Sequence, residues 1–259
     1  MKYKKYHKSK KWEINKIIVI SLVFVILAGV TFGIFRYYQT TFRTFEKGLS
    51  LDLAPETIAT NNQNSEITTK VVPESKDLLV PYAPQAPLSN WAVHEESCEE
   101  AAAYMYRSYL ENISYPANRV PDAEADTAFR AMKAWQVSHY GKEPDLTMTA
   151  LGEFARSYYG YTPTVLKNIT AEDIKVAVSD GHPVIVPVMT HSLENTMYGP
   201  VSVYHVLLIK GYDATGVITN DAGVGNGPNH HYTWEILWQA IDAQTAKMNQ
   251  GREMLYLTK

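Results

Sequence analysis

Hydrophobic residues recur along this chain with three spacings, and each spacing predicts a different element. From Ile17 to Phe35 the run IIVISLVFVILAGVTFGIF holds 19 residues without a charge, close to the roughly 20 helical residues that cross the hydrocarbon core of a bilayer. A transmembrane helix is expected there. Before it lie Lys2, Lys4, Lys5, Lys8, Lys10, Lys11 and Lys16 against one acid, Glu13, so residues 1–16 are expected to stay in the cytoplasm as a basic tail while the rest is exported. A cleaved signal peptide, which also means export, and a buried core helix are the other readings of such a run. From Arg36 to about Asp77 the pattern is lost, and TIATNNQNSEITTKVVPESKD carries no aromatic residue or helical period. That stretch reads as a flexible extracytoplasmic stalk, which leaves 78–259 as the folded domain.

Within that domain helical spacing comes first. CEEAAAYMYRSYLEN places Tyr104, Met105, Tyr109 and Leu110 for one buried face. Further helices are expected over Asp122–Ser138 and Thr149–Tyr159, and from Thr170, where Asp173 completes a near capping box, to a stop at Gly181. Short runs rich in valine and isoleucine follow at Pro183–Met189, Val203–Lys210 and Gly216–Asn220, the last after the turn GYDATG. A late helix from Thr233 to about Ala243 and a strand over Glu253–Leu257 complete the pattern. Helices first and strands later predict an α+β domain, its N-terminal helices packed on an antiparallel sheet.

Composition narrows the function. With 46% hydrophobic and 20% charged residues the chain is that of a folded protein. A net charge of -3 leaves no basic surplus for a nucleic-acid backbone. No repeat, glycine-rich phosphate loop or Cys/His metal spacing is present, so neither cofactor nor metal is expected. The single cysteine, Cys98, excludes an internal disulfide. A lone thiol in an exported domain is exposed to oxidation, so either burial or chemistry must explain it.

Cys98 follows Ser97 at a predicted helix start, and Glu100 three residues beyond Ser97 suggests a capping box. Helix N-terminal N–H groups favour thiolate over thiol and can hold an oxyanion. Glu95, Glu96, Glu99 and Glu100 would act against the thiolate if they faced it, so a basic partner is required. A solvated rim and a preference for a cationic substrate are the other readings of this acidic group. His205, inside the strand YHVLLIK, is the strongest candidate base. A hairpin turning between Asp213 and Ala214 sets it opposite Ala222, with Asp221 as neighbour to orient the ring; a bulge would move that register by one residue. His94 is a rival base, read as a solvated loop residue, and His230 and His231 also read as loop residues. Trp91 is either a cleft wall or core packing. Upstream, the amide of Gln85 is a candidate second donor to an oxyanion.

The motifs Q-A-P-x-x-x-W, S-C-E-E-A, Y-H-V-L-L-I-K-G-Y-D and I-T-N-D-A-G together resemble the double-glycine-leader-peptidase-like cysteine peptidases, relatives of papain. The resemblance spans roughly 78–259. It implies a papain-like fold, with Gln85 in the oxyanion hole, Cys98 as nucleophile, His205 as general base and acid, and Asp221 as orienter. Glu99 stands where many members carry glycine. The expected function is hydrolysis of a peptide or protein substrate by a membrane-anchored extracytoplasmic cysteine peptidase. An amidase or acyltransferase acting on cell-envelope peptides, and an inactive surface-anchored binding module, are the alternatives.

Overall fold

Glycine, threonine and proline mark the element boundaries that the hydrophobic pattern leaves open. A computed structural model of the chain describes residues 71–259; the segments read as basic tail, transmembrane helix and most of the stalk lie outside the described residues. Among the described residues no helix is long and apolar enough to cross a membrane.

In chain order the elements are β1 (Lys76–Asp77), the short helix α1 (Trp91–His94), α2 (Cys98–Leu110), α3 (Asp122–Tyr140), α4 (Met148–Tyr159), β2 (Thr162–Lys167), α5 (Ala171–Ser179), β3 (Val184–Met189), β4 (Tyr204–Tyr212), β5 (Gly216–Asn220), β6 (His230–Thr233), α6 (Trp234–Met248) and β7 (Glu253–Thr258). The α+β class holds. Helix α5 starts with the full reciprocal box, the Thr170 N–H donating to Asp173 Oδ2 at 2.7 Å and the Asp173 N–H returning to Thr170 Oγ1 at 3.4 Å. Thr147 and Thr233 cap α4 and α6 with their side chains.

The strands form one antiparallel sheet in the order β2-β7-β3-β4-β5-β6, with β1 also paired to β4. Every residue of β3 and β4 is buried, as expected for central strands covered on both faces. Helix α4 packs on β2 and β7, α6 on β3 and β5, and α2 on β4 and α3. The buried core includes Met105, Tyr106, Phe129, Phe154, Ile185 and Tyr212.

Several elements escaped the pattern. Strand β2 carries Pro163 and is only half-buried, so its alternation is weak. Strand β6 is four polar-leaning residues at the sheet edge; His230 and His231, expected in a loop, are therefore strand residues. Strand β1 takes Lys76 and Asp77 from the end of the segment read as stalk and pairs them with Tyr212 and Gly211. The buried ammonium of Lys210 holds that junction, ion-paired to Asp77 and donating to the Leu78 carbonyl at 3.2 Å. Helix α6 runs on to Met248, beyond the expected Ala243.

Candidate active site

The turn after β5 is set by its own backbone. The Asp221 N–H donates to the Gly227 carbonyl at 3.0 Å, and a Cβ on Gly227 would lie 1.7 Å from the Asp221 carbonyl oxygen. Only glycine permits that approach. The neighbouring Asn220 donates its side-chain amide to the Val80 carbonyl at 3.0 Å, and the Gln85 N–H donates to the Ala222 carbonyl at 2.8 Å. The segment carrying Gln85 is thereby sewn onto the turn carrying Asp221.

The expected hairpin register is displaced. Leu208 faces Asn220 and Ile209 faces Thr219, but Gly211 faces Ile218, so a bulge lies at Lys210. Ladder pairing ends at Leu208 and Asn220, and Asp221 reaches His205 diagonally from the turn. The two side chains still meet: His205 Nε2 lies 3.0 Å from Asp221 Oδ1, both buried. Asp221 also accepts from Tyr198 OH at 2.5 Å, Tyr232 OH at 2.7 Å and the Gly223 N–H at 3.1 Å. Burial alone would raise this carboxyl; the bonds from His205, Tyr198 and Tyr232 outweigh it and hold the group below its ordinary range. A carboxylate at Nε2 selects the tautomer with the proton there, leaving Nδ1 as acceptor. Tyr198 also meets the His205 ring edge-on, centroids 5.5 Å apart, and a Cβ on Gly223 would crowd both side chains. Neither tyrosine stood out among the 18 in the chain. The inward alternation of Tyr232 in β6 was the available signal.

Cys98 begins α2, as expected, but Ser97 makes no side-chain cap. Its Oγ lies 3.2 Å from His94 Nδ1, while His94 Nε2 lies 2.9 Å from Asp126 Oδ1. His94 is thus fully buried against Phe129, not solvated, and clamps the turn before Cys98. Glu100 is also withdrawn from any box, buried and bonded to Gln136. Gln85 reinforces the turn, its amide nitrogen donating to the carbonyls of Glu95 at 2.7 Å and His94 at 3.2 Å.

Gln85, Cys98, His205, Trp91, Glu95, Glu96, Tyr198 and Gly223 line one pocket of about 300 Å³. Trp91 is half exposed there and walls the cleft. The four glutamates divide: Glu95 and Glu96 face the pocket, whereas Glu99 and Glu100 are buried. Glu99 Oε2 lies 2.8 Å from Cys98 Sγ. Burial, then Glu99, pushes the Cys98 thiol well above its ordinary range, opposed by a backbone hydrogen bond at Val206. The thiolate preference expected from the helix start is therefore overridden, because Cys98 is 4% exposed and its sulfur sits beside an acid. Among the described residues no group of His, Cys, Asp or Glu is arranged to hold a metal. His231 instead pairs with Asp213.

Residues 78–246 match the Peptidase_C39 like family. Among solved structures the chain is similar to a C39-like peptidase from Bacillus anthracis, with TM-score 0.45 and 14% identity over 72% of this chain and 99% of that one. It is also similar to xylellain, a cysteine protease from Xylella fastidiosa, with TM-score 0.35 and 12% identity over 80% and 94% of the two chains. No curated protein sequence matches it.

Proposed function

Because the chain belongs to the Peptidase_C39 like family of cysteine peptidases, we propose that it hydrolyses peptide bonds with Cys98 as nucleophile, His205 as general base and acid, and Asp221 as the group that orients the imidazole. The observation that carries this reading is the buried contact of His205 Nε2 with Asp221, made at the wall of the pocket that Cys98 also lines. His205 takes the thiol proton at Nδ1, the thiolate attacks the scissile carbonyl, and the imidazolium returns the proton to the leaving amine. Water then hydrolyses the thioester, with His205 as base. A thiol raised by burial depends on this coupling, since an imidazolium beside it offsets the cost of the charge.

Gln85 serves the oxyanion by releasing its longer bond, the one to the His94 carbonyl, while the shorter bond to Glu95 keeps the amide in place. The N–H groups opening α2 supply the remaining donors. Residues 17–35 anchor the domain outside the membrane with the basic N-terminus inside, a reading supported by the uncharged run and the lysines before it.

The test is digestion of a mixed peptide library by the full chain, with products read by mass spectrometry beside Cys98→Ser and His205→Ala. Cleavage that both substitutions abolish supports the proposal. Cleavage indifferent to Cys98→Ser, or release of amide nitrogen without backbone scission, overturns it.

A further inference from the structure

Glu99 is the one carboxyl in hydrogen-bond contact with the nucleophilic sulfur among the described residues. Its side chain is 2% exposed. Oε2 lies 2.8 Å from Cys98 Sγ, and Oε1 accepts the Leu146 N–H at 2.8 Å, which fixes the carboxyl plane. The Leu146 carbonyl in turn accepts from Tyr204 OH at 2.7 Å, at the start of β4. No Lys or Arg bonds Glu99 among the described residues. The ionisable groups facing it are Cys98 and Glu100 from its own helix, Asp145 from the loop before α4 and Tyr204 from β4. Every one of them is neutral or negative when it titrates.

A charged carboxylate in that setting is costly twice, through lost hydration and through like charges. It also blocks the chemistry proposed above, because a thiolate 2.8 Å from a carboxylate meets a like charge in a dry site. The neutral acid has the opposite effect, since its O–H is a donor aimed at sulfur. We propose that Glu99 is a further catalytic residue: as a carboxylic acid it donates a hydrogen bond to the Cys98 thiolate, and as a carboxylate it accepts the S–H bond and holds the thiol at rest. The proposal rests on Cys98 being the nucleophile.

The protons balance without any co-reactant. The reactive state carries two protons among three groups, one on Glu99 and one on His205, with Cys98 ionised. In the resting state with the same proton count, the His205 proton sits on sulfur instead, with Glu99 still neutral. Loss of the Glu99 proton to solvent leaves thiol, carboxylate and neutral imidazole, a state in which the carboxylate holds the S–H and opposes its transfer to His205. Burial raises Glu99 to about 7, so this loss falls in the neutral range.

The experiment measures the rate at which iodoacetamide alkylates the full chain, whose single cysteine makes the label unambiguous. Wild type, Glu99→Gln and His205→Ala are compared between about pH 5 and 9. The expected wild-type rate falls about tenfold for each pH unit above 7 until direct ionisation of the thiol takes over. Glu99→Gln donates through its amide at every pH and abolishes the fall. His205→Ala lowers the rate throughout. A wild-type rate that climbs smoothly through 7, or a fall that persists in Glu99→Gln, overturns the role of Glu99. If His205→Ala then still slows alkylation, the Cys98–His205 reading survives; if it changes nothing, that reading fails as well. Should Glu99→Gln not fold, the wild-type chain still decides. A component of the infrared carbonyl band of protonated carboxyls, beside that of the buried Glu100, must disappear with the same midpoint as the alkylation rate, and the absence of any such component overturns the proposal.

Discussion

Four donors converge on one carboxylate at Asp221, and removing any of them has a calculable direction. Tyr198→Phe deletes the 2.5 Å bond to Oδ1 and must raise the Asp221 pKa, because a donor to the charged form is lost. The lowered group stabilises the fold above the ordinary carboxylate range and loses that contribution as pH falls through its folded pKa. In Tyr198→Phe the loss is expected at higher pH, seen as an upward shift of the acid limb in a plot of Tm against pH. Asp221→Asn is a different change. It keeps the size but allows the amide to donate to Nε2, which puts the ring proton on Nδ1, where it blocks acceptance from the thiol. Peptide cleavage is expected to fall by up to about 10⁴-fold, the cost of a mis-set tautomer in triads of this logic, with little change in thiol burial. Steady-state kinetics on a cleaved peptide checks it.

Elements carry the next tier of argument, because each side chain of the proposed triad sits at the end of one. Cys98 opens α2, His205 is the second residue of β4, and Asp221 follows the last residue of β5. Such positions combine a rigid backbone with access to a pocket. Helix α5 contributes no residue to the pocket and offers a clean test of local signals: Thr170→Ala removes both the acceptor and the reciprocal box, at a cost of about 1 kcal/mol. A fall in Tm of about 2–4 °C with unchanged peptide cleavage is expected. That box was legible from Thr170 and Asp173 alone, since capping is a contact between residues three apart. The box at Ser97 was equally suggestive and did not form. There His94 and Gln136, distant or oppositely directed in sequence, claim Ser97 and Glu100 first.

At the scale of the whole molecule, buried carboxyls make stability depend on pH in two directions. Asp221 is held low, so its contribution is lost as acid is added below about pH 4. Glu99 is raised to about 7 and burial pushes Glu100 well above its ordinary range too; each binds a proton more tightly folded than unfolded, so stability is greatest below the ordinary carboxylate pKa and declines as pH rises through the folded values. The two together predict a maximum in mildly acidic solution and a steady decline towards pH 8. Thermal melts across pH check it, and Glu99→Gln is expected to make the decline shallower. Anchoring belongs to this scale too. The full chain is expected to stay with membranes in alkaline carbonate, and a chain starting at Arg36 to be released, as measured by fractionation.

Sequence alone determined the elements whose signals are local: the span of α2 from Cys98, the central strands around Val186 and Leu207, and the box of α5. Period, branching and capping act over a few residues and are written where they act. The pairing of His205 with Asp221 was also within reach, although by a register that the bulge at Lys210 replaced, because a hairpin joins its strands through a short turn. Tertiary structure alone decided what lies around the sulfur. Whether Glu99 turns towards Cys98 or towards solvent depends on Leu146 and Tyr204, 47 and 105 positions away, and on how tightly the sheet closes over the helix start. Charge in a dry interior is governed by neighbours in space, and a chain does not carry those in its order.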